Sequence, residues 1–152
     1  MSLYEPDTTL INGPDHVLKL ITVLYINSTM NQSVKEKWIT ALRSGEYKQT
    51  DGRLRQGDCY CCLGVLTDLY NKDNQNDHHY WHEEDGRYGY SSDGFIAEAT
   101  LPDSVMKWAG LKECNPTVRE ERMGKPVTSL AYLNDNEDLG FNQLADIIEK
   151  QL

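Results

Sequence analysis

Long apolar runs are missing from this chain of 152 residues, and nowhere do eighteen apolar residues follow one another, so no membrane-spanning helix is expected. Met1 to Asn12 lacks the basic start and apolar centre of a secretory signal, which predicts a cytosolic protein with reduced thiols. There is no Gly-rich phosphate loop and no G-x-G-x-x-G turn, which argues against ordinary NTPase and dinucleotide folds. Positive charge is short as well. Lys and Arg number 15 against 24 Asp and Glu, for a net charge of −9. That balance opposes binding to duplex nucleic acid, whose phosphates demand clustered cations. Neither an internal repeat nor a linker long enough to separate two domains is visible. Residues 1–152 are therefore expected to form one domain, with 1–12 a loose arm or an edge strand.

What is present is unevenly spread. Lys35, Lys37, Arg43, Lys48, Arg53 and Arg55 stand against only Glu36, Glu46 and Asp51, a positive island on an acidic chain. The island leads into Asp58-Cys59-Tyr60-Cys61-Cys62-Leu63-Gly64-Val65-Leu66, which holds three of the four cysteines. This stretch reads as a polar loop turning into a buried helix, with Asp58 as cap and the helix spanning Tyr60–Asn71. The free N–H groups and partial positive charge of a helix start make a site plausible there.

Around it, Gly13-Pro14-Asp15 opens a helix whose apolar residues run from Val17 to Ile26, with a strand as the alternative. Ser33 and Glu36 form a capping box for a second helix, striped by Val34, Trp38, Ala41 and Leu42 and ended by Gly45. Residues 71–94 read as an exposed loop or hairpin insertion, and Phe95–Thr100 as a short strand. Leu101-Pro102-Asp103 starts a helix that Gly110 closes. Asn115–Lys125 reads as extended, Val127–Leu133 as strand or short helix, and Asn134-Asp135-Asn136 as a turn. Phe141, Leu144, Ala145, Ile148 and Leu152 mark the last helix. The fold class expected is α+β: a central buried helix, three or four others and a small antiparallel sheet.

Four chemistries compete for the polar residues. Cys59, Cys61, Cys62 and Cys114 with His78, His79 and His82 could supply zinc ligands, but adjacent Cys61 and Cys62 on a helix point in different directions, and no metal is expected. A thiolate at a helix start, with a histidine as base and Asn134 or Asp135 to orient it, echoes cysteine hydrolases, though no oxyanion motif accompanies it. An anion pocket is the third: arginine forks match phosphate and helix starts add donors. Calcium at Asp135, Glu137 and Asp138 is disfavoured, because the loop lacks EF-hand spacing.

Several segments together resemble a family of small proteins encoded mainly by bacteriophages. They are Trp38-Ile39-Thr40-Ala41-Leu42-Arg43-Ser44-Gly45-Glu46-Tyr47-Lys48-Gln49, then Tyr60-Cys61-Cys62-Leu63-Gly64-Val65-Leu66. Leu101-Pro102 with Val105, Trp108, Ala109, Gly110 and Leu111 follows, then Leu133-Asn134-Asp135, and finally Phe141 with Ile147-Ile148-Glu149. The likeness runs from Trp38 to the end and skips His78–Asp93. It implies a viral protein acting in the bacterial cytosol and carries no defined activity.

The function expected is capture of a small anionic, nucleotide-like ligand, with no cofactor and no catalytic residue. In a phage this suggests sequestering a nucleotide signal of host defence, and a homo-oligomer is possible. Arg43, Arg53 and Arg55 are expected on phosphate, Tyr47 or Trp108 stacking, and Gln49, Asn134 and Asp135 on sugar or base edges, with Ser44 beside them. The alternatives are a hydrolase or transferase using Cys59 or Cys61, and an acidic inhibitor that mimics nucleic acid.

Overall fold

Caps decide where the helices begin. The structure is a computed structural model that describes residues 30–120, 125–137 and 139–152; the expected arm at 1–12 and helix at 17–26 lie outside the described residues. Helix α1 (Gln32–Arg43) starts after Asn31, whose side-chain oxygen accepts the Val34 N–H at 3.2 Å. Ser33 and Glu36, the expected capping box, already sit inside the helix. Asn is as good a cap as Ser, and its backbone N–H is fixed by Ala109 O at 2.7 Å. Val34, Trp38, Ile39 and Leu42 form the buried stripe.

Three two-residue strands follow: β1 (Lys48–Gln49), β2 (Arg55–Gln56) and β3 (Cys59–Tyr60). β3 lies in the middle, parallel to β1 and antiparallel to β2, so this sheet is mixed rather than antiparallel. Gln49, Tyr60 and Arg55 stand side by side in one row across it.

Helix α2 (Cys62–Asn74) runs three residues past the expected end at Asn71. Its cap is Cys61, whose sulfur accepts the Gly64 N–H at 3.4 Å, and not Asp58, which stays exposed before β3. Every residue from Cys62 to Asp68 is buried. Gly64 is required by contact: a Cβ there would stand 1.7 Å from the Leu54 carbonyl oxygen. The backbone ahead of β2 therefore lies directly on the helix.

Residues 76–97 form an antiparallel meander of β4 (His79–Glu84), β5 (Arg87–Ser92) and β6 (Phe95–Ala97). Asp85-Gly86 and Asp93-Gly94 make its turns with positive φ, the Asp-Gly chemistry that tight hairpins favour. The expected hairpin is there, yet it is not simply exposed. Strand alternation turns Tyr90 and Trp81 inward, and Tyr90 is fully buried.

Helix α3 (Asp103–Ala109) follows Pro102 and ends at Gly110 with φ 71°. β7 (Thr117–Glu120) pairs antiparallel with β8 (Lys125–Ser129). The stretch 127–133 satisfies both expectations at once, strand through Ser129 and helix α4 (Leu130–Asn136) after it. Asn134, Asp135 and Asn136, expected as a turn, are the last residues of α4. Helix α5 (Phe141–Gln151) closes the chain. Among the described residues α1, α3 and α4 pack on α2, and α5 packs on α1 and α4. One hydrophobic cluster holds them, centred on Trp38, Leu63, Leu66, Leu133, Leu144 and Ile148. The fold is α+β, and among the described residues no helix is long and apolar enough to cross a membrane.

Candidate functional site

Arg43 at the end of α1, Tyr47 and Gln49 line one concavity of about 490 Å³ with Gly140, Phe141, Asn142 and Gln143, the first turn of α5. A second concavity of about 410 Å³ adjoins it, lined by Gln49, Thr50, Asp51, Asn134, Leu139 and Gly140. Gln49 and Gly140 belong to both, so they divide a single polar groove. Gly140 has no side chain to cap α5, and its own N–H is taken by Gln143 Oε1 at 3.0 Å.

The amide residues turn out to be committed to one another. Asn134 Oδ1 accepts from Gln49 Nε2 at 3.0 Å and from the Cys62 N–H at 3.2 Å. Asn134 Nδ2 donates to Thr50 O at 2.8 Å and to Asp135 Oδ1 at 2.9 Å. Gln49 Nε2 also donates to Leu139 O at 2.8 Å. Asn134 is buried and has used its whole capacity. It latches the start of α2, the end of β1 and α4 together. Gln49 is exposed, and its carbonyl oxygen has no partner among the described residues.

Arg43 meets two carboxylates of α5, Asp146 at 2.6 Å and Glu149 at 2.8 Å, and their hydrogen bonds, Glu149 first, push its pKa further up. All three side chains are exposed, so the guanidinium can exchange partners at little cost. The Tyr47 hydroxyl donates to buried Asp68 Oδ2 at 2.6 Å and accepts from Lys72 at 3.0 Å. Burial, then Asp68, raise the Tyr47 pKa, so it stays a neutral phenol. Trp81 Nε1 donates to the other Asp68 oxygen at 2.9 Å. Asp68 thus fixes where the Tyr47 ring stands at the groove.

The other expected contacts lie elsewhere. Arg55 rests on the rings of Tyr60, Trp81 and Tyr88. Arg53 does not line the groove. Trp108 packs edge-on against Tyr70 with ring centroids 5.5 Å apart. The Ser44 hydroxyl is spent on the end of α1, donating to Ala41 O at 2.6 Å and accepting from Glu46 N–H.

The start of α2 holds no activated thiol. Burial pushes Cys61 up to about 11, outweighing the N–H groups of Gly64 and Leu63, and raises Cys62 well above its ordinary value. The Cys62 sulfur turns to Leu130 O. His79 is bound by Tyr70 Oη at 2.9 Å and Asp93 at 3.1 Å, so it braces the meander on α2. Among the described residues no three His, Cys, Asp or Glu side chains assemble as metal ligands.

Sequence reasoning missed Asp68, although a carboxylate inside the apolar stretch 61–70 was a usable signal. It also missed Gly140–Gln143, for which no local signal exists beyond a glycine before the last helix. Comparison with curated proteins and with solved structures returned no match. The family model described as a domain of unknown function, DUF8296, matches residues 30–152, and the chain belongs to that family.

Proposed function

We propose that this protein captures a small anionic, nucleotide-like ligand in the groove divided by Gln49, and does not turn it over. The observation that carries this reading is the meeting of Arg43, Tyr47 and Gln49 with the first turn of α5 on one concavity of about 490 Å³. That volume lies within the range of small-molecule sites, roughly 300–1,000 Å³. Arg43 would leave Asp146 and Glu149 for the ligand's anion, the α5 amides would add donors, and Tyr47 would offer a ring to a base. Arg53, Arg55 and Trp108 are no part of this groove, and Asn134 supports it from behind. The bacteriophage origin that the motifs imply, with action in the host cytosol, makes a nucleotide signal of host defence the ligand to try first.

The test is incubation with a panel of nucleotide signals, heat denaturation, and identification of what is released. Intact ligand supports capture; altered ligand supports turnover. Arg43→Ala is expected to weaken binding roughly tenfold, as for loss of a charged hydrogen-bonding partner. Binding unchanged in Arg43→Ala and in Tyr47→Ala together would remove the groove as the site.

A further inference from the structure

We propose that Arg55 and Arg53 form a second anion-binding point, separate from the groove, that takes a phosphoryl-type oxyanion. Arg55 Cζ lies 4.2 Å from the Tyr88 ring centroid, 5.3 Å from that of Tyr60 and 5.4 Å from that of Trp81. Three rings and a bond from Nε to Gly57 O at 2.8 Å hold the guanidinium in place. Its two terminal nitrogens have no acceptor, and no carboxylate stands within ion-pair distance, among the described residues. A planar cation immobilised through its faces and its Nε keeps its terminal fork for an incoming oxyanion.

Arg53 supplies an independent observation. Its Nη1 is buried without any hydrogen-bond partner, and it is the one such side-chain atom among the described residues. A buried, charged donor without a partner is costly, and an oxyanion acceptor would relieve that cost. Arg53 and Arg55 stand two residues apart, so their Cα atoms lie within about 7 Å of each other, and the bridging of both guanidinium groups by one tetrahedral anion is what the proposal adds. Asp51 and Asp58 flank the pair in sequence, yet neither forms an ion pair with it. A tetrahedral dianion with several acceptor oxygens suits two forks better than a carboxylate, which one fork already saturates.

The experiment is a titration of the full chain with inorganic phosphate at ionic strength held constant with chloride, read by NMR of the arginine Nε–H groups. Saturable shifts at Arg55 and Arg53 are expected. Arg55→Lys, which keeps the charge but loses the fork, should weaken binding at least about fivefold. Lys48→Ala, which removes a neighbouring charge of the island, should leave the titration unchanged. Shifts that do not saturate, that chloride alone reproduces, or that Lys48→Ala weakens as much as Arg55→Lys does would overturn the proposal. So would unaltered binding in Arg53→Gln/Arg55→Gln, with circular dichroism confirming its fold.

Discussion

Asn134 reaches two segments far away in sequence, the start of α2 through Cys62, 72 residues earlier, and the end of β1 through Thr50 and Gln49, 84 and 85 residues earlier. Replacing it with Ala leaves the buried Cys62 N–H without that acceptor and the half-buried Thr50 carbonyl without that donor, while Gln49 keeps Leu139 O. Asn134→Ala is expected to lower stability by about 2–4 kcal/mol, the cost of orphaning one or two buried polar groups, measured by urea denaturation. The residue types at the groove were legible: Arg43, Tyr47 and Gln49 do line it. The division of labour among them was not. An amide that ties segments together and an amide that holds a ligand look alike in sequence, and only the partners separate them. Gly64 was equally silent, because the atom that excludes a side chain belongs to Leu54, ten residues earlier.

At the scale of elements, helix existence was readable and helix starts were not. Asn31 and Ser33 are both good caps, two residues apart, and local sequence does not choose between them. The choice is made at a distance, by the Asn31 N–H bonding to Ala109 O and by burial of Met30. Asn31→Ala is therefore expected to cost about 1 kcal/mol, while Ser33→Ala stays within about 0.5 kcal/mol; thermal melts of the two variants check this. The cap of α2 moved for a related reason. β3 inserts between Asp58 and the helix, which hands the position to Cys61. The α+β class was legible because α1 and α5 carry one-sided apolar stripes, α2 is apolar nearly all round, and short strand-like stretches with turn residues lie between them. The parallel pairing of β1 with β3 was not, since two-residue strands carry no alternation to read.

For the whole molecule, the buried acids set an alkaline limit. Cys61 is pushed up to about 11, and burial raises Cys62, Tyr47 and Tyr90 in the same direction. Between the ordinary thiol value and about 11 the unfolded chain has lost protons that the folded chain keeps, so folding weakens as pH rises. Stability is expected to be complete below about pH 8.5 and then to fall by up to about 1.4 kcal/mol per pH unit for each of the two thiols, with the tyrosines adding to the slope only above about pH 10. Denaturant midpoints between pH 8 and 11 measure this, and a flat profile would contradict the burial of these groups.

Rings also cross the molecule in sequence: Tyr47 to Tyr60 at 5.2 Å, Tyr60 to Trp81 at 6.0 Å, Trp81 to Tyr90 at 5.1 Å, Tyr90 to Tyr70 at 6.0 Å and Tyr70 to Trp108 at 5.5 Å. Light absorbed by these phenols drains to the two indoles, whose lower excited states collect it. A planar guest laid on Tyr47 would intercept part of that flow and dim the emission of an indole it never touches. If the groove takes such a guest, the series of rings would report its arrival without a dye, against the constant emission of Trp38, which stands outside the series.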